Sequence, residues 1–286
     1  MKVRLLTYLL AGCVFLLAAT PIFGEVIYDS IPSPLPPSLV SQSFQAGRVS
    51  EFGDLIAFGG TARDLASATV GMVTWGYFSK YNDPEATNTG GWNEPAITLN
   101  LYNVDNSGTN PAPGSVLASV TQSFFIPWRH EPTPSCGGSL WLAADGCHNG
   151  EAFDITFDFT GLGITLPDQI IYGIAYNTQS AGQNPLGVNG PYNDLNVGLN
   201  NLVTVGSNPN APLAYLSGTI GDSYADHGAG GLNAFRLDVG GSHTKGAIMF
   251  ETSTPEPGTV GLMLGGGCLL LLVSSIRRRQ RAAAGV

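Results

Sequence analysis

Phe153-Asp154-Ile155-Thr156-Phe157-Asp158-Phe159 alternates apolar side chains with acids and threonine, one for one. A helix would send Phe153 and Phe157 to one side and Ile155 and Phe159 to the other. An extended backbone puts all four on one face. The stretch predicts a half-buried strand, with Asp154, Thr156 and Asp158 facing out. Ile97-Thr98-Leu99-Asn100-Leu101-Tyr102 repeats the pattern, with Ile97, Leu99 and Leu101 on the inner face.

Outward from these two stretches, strands are expected at 68–79, 116–126, 169–177, 195–205, 213–220, 232–239 and 247–252. Clusters of Gly, Pro, Asn and Asp separate them. No segment carries the period of an amphipathic helix. About nine or ten strands without helices predict an all-β fold, an antiparallel β-sandwich, jelly-roll-like by first preference. A general immunoglobulin-like sandwich is the alternative. No internal repeat points to a propeller or solenoid. The proline-rich opening at 30–37 predicts extended chain, either a stalk or a strap along the domain. Segments 80–95 and 127–150 read as long surface loops, where binding residues concentrate.

Both chain ends stand apart from this body. Lys2 and Arg4 precede an apolar stretch at 5–19, followed by Thr20, Pro21 and Gly24. That order is a secretory signal peptide over 1–24, with cleavage after Gly24. At the other end, Thr254-Pro255-Glu256-Pro257-Gly258 leads into an uncharged run at 260–276 and then Arg277-Arg278-Arg279-Gln280-Arg281. The run would reach ~26 Å as a helix, enough for a short single transmembrane span. Arginines behind it keep that end cytoplasmic and the body outside. A plain single-pass anchor is the simpler reading of this segment.

Pro255, Glu256 and Pro257, the apolar span and the arginine cluster Arg277, Arg278, Arg279 and Arg281 together resemble the PEP-CTERM sorting signal of Gram-negative bacteria that build exopolysaccharide. The resemblance implies an exosortase-type membrane protease as partner. It also implies a precursor held transiently in the inner membrane, then transfer to the cell surface or extracellular matrix. It covers only 254–286. A second likeness runs through Tyr28-Asp29-Ser30-Ile31-Pro32-Ser33-Pro34, Phe44-Gln45-Ala46, Glu51-Phe52-Gly53-Asp54 and Gly60-Thr61-Ala62-Arg63, followed by a strand ending at Trp75. It is similar to the opening of uncharacterised exported PEP-CTERM proteins and implies a shared sandwich start, with no known activity.

Between the ends, 25–253 is long enough for one large domain with its own core. Six basic and twenty acidic residues fall in it, a net charge of −14. Such a surface repels phosphate backbones, which argues against nucleic-acid binding. Cys136 and Cys147 are the body's two cysteines. In an oxidising compartment they predict a disulfide; a two-thiol contribution to a metal site is the alternative, with His148 adjacent but no further ligands at suitable spacing.

Enzymatic signatures are missing: no Gly-x-Ser-x-Gly elbow, no phosphate loop, no His-Glu-x-x-His. His130, His148, His227 and His243 are scattered. The expectation is a non-catalytic protein without a required cofactor, structural or adhesive in role. The alternatives are a glycoside hydrolase using a carboxylate pair such as Asp154 and Asp158, and a self-assembling surface component that would form concentration-dependent multimers. Glu51 with Asp54, Asp83 with Glu85, and Asp222 with Asp226 are candidates for a structural calcium. For Glu51 and Asp54 a turn around Gly53 is the competing reading, and for Asp222 and Asp226 a hairpin tip. Trp92, Trp128 and Trp141 are candidates for stacking on exopolysaccharide, with Tyr81 and Tyr192 near turns. Trp75 reads as core.

Overall fold

A computed structural model describes residues 24–44, 49–81, 90–176, 195–217, 235–238 and 245–253, the side chains of 80–81 and 92–96 excepted. Among them the fold is all-β with antiparallel sheets. Helical structure there amounts to single turns at Phe78–Tyr81 and Pro134–Cys136. No helix among the described residues is long and apolar enough to cross a membrane. The signal peptide, the 260–276 span and the motif at 255–257 all lie outside the described residues.

Fourteen strands are present among the described residues. The first sheet contains β1 (Val26–Asp29), β2 (Val40–Gln42), β4 (Leu65–Thr74), β9 (Glu151–Asp158), β11 (Leu195–Leu199) and β14 (Ile248–Thr252). β4 is its spine: β14 and β11 share one side of it and β9 takes the other. The second sheet contains β3 (Glu51–Ala57), β5 (Gly91–Asp105), β6 (Ala112–Pro127), β10 (Gln169–Ala175), β12 (Tyr215–Ser217) and β13 (Phe235–Leu237). Its order is β13-β12-β3-β10-β5-β6. A small pair, β7 (Trp141–Ala143) and β8 (Gly146–His148), stands in the segment expected to be a loop.

The pairing of the long strands is nested. β1 pairs with β14, β3 with β10, β4 with β9, and β5 with β6. One core cluster draws on both sheets. Ile155 and Phe157 of β9, with Phe159 just beyond it, meet Ile97, Leu99 and Leu101 of β5, as their period-two pattern requires. Phe124 of β6 meets Phe157 edge-on with ring centroids 4.9 Å apart. Asp154, Thr156 and Asp158 face solvent.

Two expectations change, and the choice left open for the proline-rich opening is decided. The turn around Gly53 is instead the middle of β3, a central strand, paired in register with Gly173 of β10. Charge at Glu51 and Asp54 had hidden the alternation of Phe52 and Ile56. β5 begins at Gly91, so Trp92 belongs to a strand and not to a polar loop. The proline-rich opening lies along the domain. Ser30 is fully buried, its one hydroxyl proton within reach of the Gly246 carbonyl at 2.8 Å and the Ile248 carbonyl at 3.0 Å, and its oxygen accepting from the Ile248 N–H. The Pro37 carbonyl accepts from the Ala152 N–H at 3.0 Å.

The second sheet curls. Register shifts beside Leu101, Tyr102 and Val104 bend the β5–β6 hairpin, as bulges do. Its tip reaches back across the sheet, where the Tyr215 hydroxyl donates to the Pro111 carbonyl at 2.9 Å. A second cluster, Leu55, Tyr102, Ile171, Tyr215 and Phe235, is buried on this outer face.

Candidate functional site

The alternation of β3 sends Phe52, Asp54 and Ile56 toward the main core, and Glu51, Gly53 and Leu55 to the outer face of the second sheet. Two carboxylates three residues apart therefore occupy opposite sides of one strand. Both are buried, Glu51 at 2% exposure and Asp54 at 1%. Buried carboxylates are rare enough to mark a site or a network that fixes the fold.

Glu51 lies across the bare backbone of Gly173. Its Oε1 accepts from the Tyr102 hydroxyl at 2.7 Å and from Asn100 Nδ2 at 2.9 Å. Asn100 Oδ1 in turn accepts from the Ser119 hydroxyl at 2.7 Å. The chain Ser119–Asn100–Glu51–Tyr102 thus ties β6, β5 and β3 across the intervening β10. Burial raises the Glu51 pKa, and the bonds from Asn100 and Tyr102 oppose that shift. Burial and then the Glu51 charge push the Tyr102 hydroxyl up, so it stays protonated and donates.

Asp54 is the electrostatic centre of the inner face. Its Oδ1 accepts from the Leu55 N–H at 3.0 Å and its Oδ2 from Asn208 Nδ2 at 2.6 Å. Burial pushes its pKa up to about 7, against those two bonds and the Lys245 charge. The hydroxyls of Tyr28, Tyr172 and Tyr215 are all raised, first by burial and then by the Asp54 charge, that of Tyr215 to about 12. Because Glu51 and Asp54 face opposite ways, they do not converge on one cation or one scissile bond. No group of three or more His, Cys, Asp or Glu capable of holding a metal occurs among the described residues.

A second polar group surrounds the disulfide. Cys136 and Cys147 are bonded, with Cα atoms 5.6 Å apart. Trp141 is buried beside them, its indole N–H donating to the Gly150 carbonyl at 3.0 Å. His130 stacks on the indole at 4.8 Å and His148 lies tilted against it at 5.5 Å. Each imidazole meets a carboxylate: His130 Nδ1 with Glu151 at 2.7 Å, His148 Nε2 with Asp145 at 2.8 Å. Arg129 donates to the Asn149 and Ser139 carbonyls and packs over the Tyr77 ring at 4.6 Å. These contacts hold the lobe to the body.

The sequence-derived candidates are therefore dispersed. Trp128 is buried in the main core, edge-on to Phe78 at 6.2 Å. Trp141 already carries the two histidines. Neither is an open platform for a sugar ring. Asp154 and Asp158 are exposed on the outer face of the first sheet, and Asp158 binds the Thr160 N–H and hydroxyl. The Trp92 side chain, Asp83, Glu85, Tyr192, Asp222, Asp226, His227 and His243 lie outside the described residues, as does the Tyr81 side chain. From the sequence Glu51 and Asp54 read as loop acids, not as buried ones. The signal that could have revealed them was Phe52, Ile56 and Phe58 at alternate positions.

The disulfide closes a loop with a sequence separation of 11, worth ~2–3 kcal/mol in the chain-entropy model. Replacing both cysteines by serine is expected to lower the melting temperature, at about 2–4 °C per kcal/mol for a domain of this size. Calorimetry checks this, with reductant added to the unsubstituted protein as the parallel arm. An unchanged melting temperature in both arms would contradict it.

Comparisons of the chain with protein-family models, curated proteins and solved structures found no match.

Proposed function

We propose that the protein is exported and sorted to the cell surface or extracellular matrix by an exosortase-type system. There it serves a non-catalytic, structural or adhesive role and binds exopolysaccharide. The single observation that carries this reading is the sequence of the C-terminal segment: Pro255-Glu256-Pro257, the apolar run at 260–276, then Arg277, Arg278, Arg279 and Arg281. The bonded cysteine pair is compatible with an oxidising destination.

We read the body as a jelly-roll sandwich. The support is the nested pairing, first long strand with last and inward to β5 with β6, which is a long hairpin rolled into two sheets. Such a body offers broad strand faces to a polymer without requiring a catalytic cleft.

Replacing Pro255, Glu256 and Pro257 together by alanine in the full chain tests the sorting. The expected result is accumulation of an uncleaved precursor in the inner membrane, read as a larger mass and loss from the surface fraction. Equal surface display of both proteins would refute it. Incubating the surface form with exopolysaccharide separates adhesion from hydrolysis. Co-sedimentation with unchanged polymer length supports binding, and shortened polymer establishes an enzyme.

A further inference from the structure

β6 is the terminal strand of the second sheet and pairs only with β5 among the described residues. It runs 16 residues, Ala112–Pro127. A long edge strand is a row of unpaired backbone donors and acceptors, and proteins ordinarily guard it with charge, proline or a bulge. The neighbouring edge strand β9 is guarded by Glu151, Asp154 and Asp158. β6 is not. Residues 106–128 contain no charged side chain, although the body as a whole is strongly acidic. Prolines within β6 occur only near its ends, at Pro113 and Pro127.

The two faces of β6 show what would fit. Its outer face exposes Ser119, Thr121, Ser123 and Phe125, the last at 51%. On its inner side, Leu117, Val120 and Phe124 pack on the main core but remain partly exposed. The core is thus incompletely covered along this edge. A polar, uncharged face beside a partly covered apolar one is self-complementary. In antiparallel pairing of like strands, hydroxyl residues meet hydroxyl residues and core-facing residues meet core-facing ones. The pair Thr98–Thr121, with hydroxyls 2.8 Å apart, already shows this kind of contact between β5 and β6. Two acidic bodies repel each other nearly everywhere else, so a second copy can approach closely where charge is missing.

We propose that the edge of β6 left unpaired among the described residues is a self-association site, where a second copy of this chain adds its own β6 antiparallel and joins the two sheets. This inference is independent of the sorting reading. The acids of β9 lie next to the joint, so association strengthens as salt screens them.

Single cysteines at Ser119, Thr121 and Ser123, each in the full chain within its own membranes, test the geometry. Facing residues of an antiparallel pair have Cβ atoms ~5 Å apart, within reach of a disulfide after small adjustment. At least one position is expected to give a covalent dimer above the background of the unsubstituted chain, which already carries Cys13 and Cys268. Leu202→Cys, exposed on another part of the surface, is expected to stay at background. Equal yields from Leu202→Cys and all three β6 positions would overturn the proposal.

Sedimentation of the detergent-solubilised full chain gives a second readout. The 29.8 kDa chain is expected to double in mass as salt is raised, and Ser123→Lys to remain single. A chain that stays single at every salt and protein concentration would overturn the proposal, as would a Ser123→Lys variant that doubles equally well.

Discussion

Gly53→Ala is expected to abolish folding of the body. Gly53 sits mid-strand in β3, opposite Gly173, and an added Cβ would overlap the carbonyl oxygen of Tyr172 and crowd its carbonyl carbon. The obstacle is backbone of the adjoining central strand, not the end of a flexible side chain. Overpacking typically costs about 1–3 kcal/mol when side chains can yield. Here two paired strands would have to part, and the Glu51 network across Gly173 would go with them, so the cost exceeds that range. The measurement is the yield of folded protein and its near-ultraviolet circular dichroism. Gly108→Ala is the control, because a Cβ there meets nothing closer than 3.6 Å. A Gly53→Ala protein with native spectra and an unchanged melting temperature would remove the argument.

Asp54→Asn is expected to stabilise the protein above neutral pH. In the folded state burial holds the Asp54 pKa up to about 7, against an ordinary value of 3.8. Below the lower value both states are protonated, and the buried carboxyl carries no charge cost. Between the two values the unfolded chain releases its proton while the folded one keeps it, so stability falls as pH rises. Above about 7 the folded group is ionised as well and the penalty is constant. Three units at ~1.4 kcal/mol each bound the effect at roughly 4 kcal/mol. Asparagine keeps an acceptor for the Leu55 N–H, but its amide meets the Asn208 amide, so a gain on the order of 2 kcal/mol is the expectation.

The titratable groups that Asp54 interacts with electrostatically are Tyr28 of β1, Tyr172 of β10, Lys245 and, from the other face of the sheet, Tyr215 of β12. The tyrosines stay protonated throughout this window, so they add nothing to the pH response. Glu51 shifts in the same direction. The unsubstituted protein should therefore melt higher at pH 5 than at pH 8, and the variant should show a much smaller difference. Calorimetry across that range decides the matter. An Asp54→Asn protein that melts lower than the unsubstituted one at pH 8 would show that the carboxylate is better accommodated than its burial implies.

Strand β9 and the middle of β5 were legible in the sequence because one face of each is apolar and the other polar, and that asymmetry is written at every second residue. The cysteine pair was legible because the body offers each cysteine a single partner. The sequence by itself thus determined the all-β class and the disulfide.

Tertiary structure decided the rest. β3 is covered on both faces, so its pattern carries no polar side, and two acids within it imitate a turn. Only the neighbouring strands show that Asn100 and Tyr102 receive one carboxylate and Asn208 the other. Trp128 and Trp141 read as surface aromatics because their segment is rich in Gly, Pro and Cys; the core and the two histidines take their faces. The nested order of strands, and the unguarded edge that β6 is left with, depend on contacts between residues up to 227 positions apart, such as Glu25 with Thr252. Local periodicity records which face of a strand is wet. It holds no information about which strand comes to lie beside it, since that is settled by the burial of the whole chain at once.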